Sequence, residues 1–136
     1  LSFSVPKRLH IIGMMNTADR SLAMIDYALR RRFSFFDMEP GFDSEGFINY
    51  QKGFANDTFN TLIERIKDLN REIMQDRSLG KGFCIGHSYF CTNATINDEW
   101  MRSVVEYELI PLLKEYWFDE PTKVKDWSEN LRSAIK

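Results

Sequence analysis

Residues 57–76 read DTFNTLIERIKDLNREIMQD. Apolar side chains recur in this stretch at intervals of three or four residues, the spacing that places side chains on one face of an α-helix. These side chains are Phe59, Leu62, Ile63, Ile66, Leu69 and Ile73. The stretch therefore predicts an amphipathic helix that buries one face in a core.

Further helices are predicted downstream of this one. Gly80-Lys-Gly82 ends the first helix, and residues 83–91 look extended or turn-like. Asn97 is a good N-cap for a helix that Pro111 should kink or restart. Pro121 lies near the first turn of a last helix. These signals predict a small helical domain.

The first part of the chain has a different pattern. Residues 9–15 form an apolar run with β-branched isoleucines, typical of a strand buried on both faces of a parallel sheet. Asp19 or Ser21 can cap a helix that ends in three arginines at 30–32. The aromatic stretch 33–39 then predicts a second strand. The three elements suggest one strand–helix–strand unit with a right-handed crossover.

The predicted fold is thus an α/β fragment at residues 1–40 followed by a mostly α-helical domain at 41–136. With 43% hydrophobic residues the chain can form a packed core, and no apolar run in the sequence is long enough to span a bilayer. A net charge of −2 gives no general attraction to nucleic acid. The opening at Leu1, which leads directly into a strand, predicts that the chain is a piece of a longer protein.

Candidate chemistry is concentrated between the two predicted strands. Asn16 ends the first strand, and the carboxyl ends of parallel strands are where α/β sheets bind ligands. The arginines at 30–32 can supply guanidinium groups to a phosphate. A purely structural alternative also fits, in which Asn16 and Asp19 cap the helix and the arginines are a solvated helix end.

The residues also carry a family resemblance. NTADRSL at 16–22, DYALRRRFSF at 26–35 and EPGF at 39–42 closely resemble the sensor-1 to arginine-finger region of McrB-type AAA+ GTPases of modified-cytosine restriction systems. GKGFCIGHSYF at 80–90 and PLLKEYWFD at 111–119 extend the similarity into the lid domain of that family. The resemblance covers nearly the whole chain.

The resemblance implies a role for each matching residue in the core part. Asn16 corresponds to the sensor-1 asparagine, which orients the attacking water against the γ-phosphate. Asp19 and Arg20 correspond to the family's signature loop beside the nucleotide. Arg31 and Arg32 correspond to arginines that reach the nucleotide of a neighbouring subunit, and which of the two is the finger stays open. Such a guanidinium offsets charge on the transferred phosphoryl group.

Two further residues match the lid part of the family. His87 and Ser88 fall where a AAA+ lid presents its sensor-2 residue, and the resemblance implies that they contact the cofactor. A basic sensor-2 arginine is absent there. Arg30 lies one position before the candidate fingers and is open to a structural role.

The implied cofactors are GTP and Mg²⁺ in the full-length protein. A P-loop and a Walker B strand are both missing from this sequence, so we expect the chain alone neither to bind nor to hydrolyse nucleotide. The implied partners are neighbouring subunits of a ring, a McrC-type endonuclease subunit, and DNA bound through other domains. A cytoplasmic location is implied, with no membrane partner.

One metal-ligand pattern was also considered. Cys84, His87 and Cys91 offer three ligands at short spacing, but zinc usually needs four. The only other histidine, His10, lies on a strand that is predicted to be buried. Small buried thiols are the simpler interpretation, and no metal site is predicted.

Two other functional classes stay open at the level of sequence. One is a AAA+ ATPase remodeller of the MoxR-like or dynein-related branch. The other is a non-catalytic helical interaction domain, on which Asn16 and the arginines would be surface residues without a catalytic role.

Overall fold

A computed structural model describes residues 4–16 and 27–135 of the chain. It divides the chain into two compact units, a smaller one that ends at Phe35 and a larger one that begins at Phe36. In the smaller unit, helix α1 spans Tyr27–Arg30 and is followed by a turn. It agrees with the C-terminal end of the helix predicted there, whose earlier residues lie outside the described ones.

The prediction of two strands is wrong for the residues that the structure describes. Residues 9–15 and 33–39 are described throughout, and neither stretch forms a strand. Both are exposed, Ile12 by 93%, and His10, expected on a buried strand, is exposed too. A parallel strand is stabilised by hydrogen bonds to neighbouring strands, and the described residues contain no strand that could provide them.

The larger unit is helical throughout its regular structure. Its α-helices are α2 (Glu45–Phe54), α3 (Asp57–Gln75), α4 (Asp98–Val104), α5 (Ile110–Tyr116) and α6 (Pro121–Ser133). Three short 3-10 helices lie at Gly41–Asp43, Lys81–Phe83 and His87–Phe90, and a π-helical turn at Val105–Leu109 connects α4 to α5. Within the described ranges, no helix is long and apolar enough to cross a membrane.

Helix α3 is the centre of the larger unit, as its sequence predicts. The six apolar side chains of its predicted stripe are fully buried. Helices α4, α5 and α6 and the loop after α3 cover this stripe with their own buried side chains. The largest of these are Ile85, Phe90, Met101, Leu109, Leu113, Trp117 and Leu131.

The helix boundaries follow from local chemistry. The side-chain oxygens of Asn56 and Asn97 accept hydrogen bonds from the first-turn amides of α3 and α4, at 3.0 and 2.8 Å, which confirms the cap predicted at Asn97. Pro111 lies in the first turn of α5, directly after the π-helical turn, and Pro121 begins α6. A proline lacks the amide that would continue a preceding helix, so Pro121 starts a new helix. At Pro111 the chain stays helical, and the π-helical turn immediately precedes the residue.

A clasp formed by Asp76, Trp117 and Lys123 connects the end of α3 to α5 and α6. The Asp76 carboxylate, whose side chain is 9% exposed, accepts hydrogen bonds from Trp117 Nε1 at 2.8 Å and from Lys123 Nζ at 3.2 Å. It also accepts from the amide and hydroxyl of Ser78. The Lys123 ammonium lies 4.4 Å from the centre of the Trp117 ring, a cation–π distance.

Replacing Asp76 by Asn should destabilise the chain, because the clasp depends on a charged acceptor. Hydrogen bonds from Ser78 and Trp117 lower the pKa of Asp76. The charged Asp76 therefore adds to the free energy of unfolding above the pKa of an unfolded aspartate, about 4. This stabilisation is lost as the pH falls through the lowered pKa of the folded state. We expect Asp76→Asn to reduce the free energy of unfolding at pH 7 by about 1–3 kcal/mol in urea titrations.

Asp68→Asn is the matched control, because Asp68 pairs with Arg71 on the exposed side of α3. It should change the free energy of unfolding by less than about 1 kcal/mol. The difference between the wild type and Asp76→Asn should also narrow below about pH 4. Equal effects of the two substitutions would show that the clasp does not stabilise the fold.

Candidate functional site

The loop that carries His87 and Ser88 is fixed to α3 by a buried asparagine. Asn70 Nδ2 donates to the carbonyl oxygen of Ile85 at 2.9 Å, and Asn70 Oδ1 accepts from the amide of Ile85 at 2.7 Å. Asn70 is 7% exposed. Both backbone polar groups of the buried residue Ile85 are thereby satisfied by one side chain, which holds the loop two residues before His87.

His87 contacts the segment that leads into α2. Its Nδ1 accepts a hydrogen bond from the Gly41 amide at 2.9 Å, and its half-buried ring packs edge-on against Phe42 and Phe47. An acceptor at Nδ1 places the proton of a neutral imidazole on Nε2. A Cβ atom at Gly41 would lie 3.0 Å from Cε1 of His87, so this approach favours glycine.

A groove of about 500 Å³ lies beside His87. Its lining combines the aromatic faces of Phe47 and Tyr50 with polar residues of the 91–93 segment and Ser44. The Tyr50 hydroxyl accepts from the amide of Thr92 at 2.9 Å and so fixes that segment. Ser88 is exposed and lines a neighbouring, more polar groove of about 310 Å³. His87 and Ser88 therefore face different depressions on the surface of the larger unit.

The two cysteines have local partners. Cys84 Sγ donates to the carbonyl oxygen of Asn70 at 3.8 Å, and Cys91 Sγ donates to that of His87 at 3.5 Å. Burial raises the pKa of both thiols, with a smaller effect of Glu39 at Cys84. Across the described ranges no three His, Cys, Asp or Glu side chains come together as metal ligands.

The segment before α2 is also attached to the loop after α3 by charges. Lys81 Nζ lies 2.9 Å from Asp37 Oδ2 and 3.8 Å from Glu39 Oε1. The Lys81 hydrogen bond lowers the pKa of the Asp37 carboxyl, and the pKa of Lys81 is raised in return. The side chains are exposed, so we expect salt to weaken this attachment.

The candidate residues of the smaller unit are exposed where they are described. Asn16 is exposed, and Asp19 and Arg20 lie outside the described residues. Arg31 and Arg32 form the exposed turn after α1. The Arg30 guanidinium, in contrast, lies 5.8 Å from the centre of the Phe35 ring, within cation–π range. Among the described residues, a cation–π contact is thus found at Arg30 and not at the two arginines that follow it.

Comparison with known proteins finds similar sequences. Residues 61–125, which include Asn70, Ile85, His87 and Trp117, match the family described as McrB, alpha-helical lid domain. This stretch of the chain is thus similar to an McrB lid domain. It is also 47% identical, over 136 residues and 95% of its length, to the type IV methyl-directed restriction enzyme EcoKMcrB subunit of Escherichia coli (strain K12). The chain spans 30% of that protein.

Two residues that shape the helical unit are not evident from the sequence alone. Asn70 lies on the apolar face of α3, between Ile66 and Ile73, and a polar residue in such a stripe signals a buried partner. Gly41 accommodates the His87 ring, a role that its sequence neighbours do not predict. Nothing local to Gly41 indicates that its partner is 46 residues away.

Two substitutions at His87 test its hydrogen bond to Gly41. The Oδ1 atom of an asparagine can take the place of Nδ1 as the acceptor, whereas alanine has no acceptor. Both variants lose the ring contacts with Phe42 and Phe47. We expect His87→Ala to be less stable than His87→Asn by about 1 kcal/mol in urea unfolding. Equal stabilities would mean that the hydrogen bond makes no net contribution to the helical unit.

Proposed function

We propose that this chain is the lid-bearing part of a GTP-hydrolysing AAA+ motor subunit in a modified-cytosine-dependent DNA restriction complex. The observation that carries the proposal is the 47% identity, over nearly the whole chain, to a subunit named as part of a methyl-directed restriction enzyme. The McrB lid match supports it independently. In this proposal GTP and Mg²⁺ bind mainly to residues outside this chain, which lacks a P-loop.

Asn16 is proposed as the sensor-1 residue of the motor. An asparagine amide both donates and accepts hydrogen bonds, as the orientation of a water beside a γ-phosphate requires. Asp19 and Arg20 follow in the same motif and are proposed to lie beside that nucleotide. Their role would be to hold the loop after Asn16 in its working conformation.

Arg31 or Arg32 is proposed as the finger that acts on the nucleotide of a neighbouring subunit. A finger has to leave its own subunit, so a guanidinium without a strong local partner is favoured. Arg30 lies over the Phe35 ring and is therefore the weakest candidate of the three. Arg31 and Arg32 are exposed in the turn beyond α1, which supports either of them.

His87 and Ser88 are proposed to contact the cofactor from the lid side, His87 from the larger groove and Ser88 from the neighbouring groove that it lines. Because Nδ1 of His87 is engaged by the Gly41 amide, Nε2–H is the group left to donate to a nucleotide oxygen. The groove beside His87 has both aromatic and hydroxyl-bearing walls, a combination suited to a base and a ribose. The Nε2–H donor of His87 would take the place of the arginine that many AAA+ lids present.

The proposed partners follow from the same assignment. A trans-acting finger requires an oligomer, so copies of the full-length subunit would form a ring. The cleaving activity would come from a McrC-type endonuclease subunit. The net charge of −2 on this chain supports DNA binding through other domains.

Loss of the finger should reduce turnover more than nucleotide binding, because the finger stabilises charge that develops in the transition state. In the full-length protein, Arg31→Ala or Arg32→Ala should lower GTP turnover by about a thousand-fold, with GTP affinity nearly unchanged. Steady-state turnover and equilibrium titration with a non-hydrolysable GTP analogue measure the two effects. Arg30→Ala is the control and should retain most of the turnover.

Mixing experiments test whether Asn16 and the finger act on opposite sides of one interface. Asn16→Ala subunits retain the finger, and finger-deficient subunits retain sensor-1, so mixed rings should recover some turnover. A subunit with both defects should rescue neither. Failure of the single variants to complement, in rings shown to be mixed, would contradict the assignment. Unchanged turnover in both arginine variants would instead support a purely structural role.

A further inference from the structure

A second groove, lined in part by the clasp residue Trp117, has no role in the proposed nucleotide chemistry. It lies along α5, the turn after it and α6, with a volume of about 390 Å³. Its floor is made by the buried side chains Ile110, Trp117 and Val124, and the Phe118 ring, 81% exposed, forms part of its wall. An exposed aromatic ring next to an apolar floor is typical of a site that receives an apolar side chain.

The charged residues that line this groove are all cationic. Lys114, Lys125 and Arg132 contribute to the lining, and no carboxylate does so among the described residues. Arg132 is held by Glu106, with Nη2 donating to Oε2 at 2.8 Å. Lys125 has only a long contact of 3.9 Å with Glu129. Lys114 forms no ion pair within 4 Å in the described part, although its charge helps to lower the pKa of Glu106 after the larger effect of Arg132.

The groove is also held in one conformation. Trp117 is fixed by its Nε1 hydrogen bond to Asp76 and by the Lys123 ammonium over its ring. Ser128, 4% exposed, donates to the carbonyl oxygen of Val124 at 2.6 Å and adds little bulk to the lining. A floor that does not have to reorganise loses less entropy when a ligand binds.

We propose that this groove binds an acidic segment of a partner protein. An aliphatic or aromatic side chain of that segment would enter between Phe118 and the floor, and its carboxylates would contact Lys114 and Lys125. The apolar floor favours a peptide over a nucleic-acid backbone, and the cationic rim, in a chain whose net charge is −2, favours an acidic peptide. This proposal does not depend on the proposed nucleotide site, so one proposal can be wrong while the other is right.

The test uses the ¹⁵N-labelled 136-residue chain and three short synthetic probes. The first is a peptide with leucines four residues apart among glutamates, a spacing that aligns them on one helix face. In the second peptide the glutamates are glutamines, and the third probe is a single-stranded oligonucleotide. The glutamate peptide should bind below about 1 mM and shift the amide signals of Trp117, Phe118 and Val124. Added salt should weaken this binding.

Three variants locate the binding. The double variant Lys114→Glu/Lys125→Glu and the variant Phe118→Ala alter only exposed side chains, so the core should stay folded. Each should weaken binding of the glutamate peptide roughly ten-fold or more. Lys52→Glu reverses an exposed lysine on α2, outside the groove lining, and should leave the affinity within roughly two-fold.

Each of several results would overturn the proposal. One is that the glutamate peptide does not bind below about 1 mM. Another is that the glutamine peptide binds with the same affinity as the glutamate peptide. A third is that Lys52→Glu and the double variant reduce the affinity for the glutamate peptide equally. Shifts at Phe118 and Val124 with the oligonucleotide, but not with the peptide, would assign the groove to nucleic acid instead.

Discussion

The pairing of Asn70 with the backbone of Ile85 is the interaction on which the candidate lid site depends. It gives hydrogen-bond partners to both backbone polar groups of Ile85, which is buried against the apolar face of α3 and would otherwise leave them unsatisfied. The loop between α3 and α4, which contains Ile85, has little regular structure of its own, only two short 3-10 helices. Its position is therefore set from α3. His87, two residues later, then reaches Gly41 and fixes the start of α2.

The same helix organises the opposite end of the lid. Where α3 ends, Asp76 accepts hydrogen bonds from Trp117 and Lys123 and so determines how α5 and α6 are attached. One helix thus connects the loop beside the proposed nucleotide groove with the cationic groove proposed for a partner. Both attachments use a single polar side chain at the edge of a large apolar core, where a hydrogen bond is least exposed to competing water.

The helical unit could be predicted from sequence because its signals are local. The stripe of α3, the cap at Asn97 and the prolines at 111 and 121 each act within a few residues. Long-range pairs such as His87 with Gly41 have no local signal. The strand prediction for 9–15 relied on apolar composition, which is also found in exposed segments, whereas a strand is defined by its neighbours. The roles of Asn16, Arg31 and Arg32 came from motif resemblance and stay predictions.

Native-state hydrogen exchange on the 136-residue chain tests most directly whether the lid and its site loop form one self-sufficient unit. We expect the Ile85 amide, bonded to Asn70, to exchange as slowly as the buried amides of α3 at Ile66 and Leu69. The exposed residues 9–15 should exchange much faster. If the Ile85 amide exchanged as fast as residues 9–15, or if those residues were better protected than α3, the helices and the site loop would not form one self-sufficient unit.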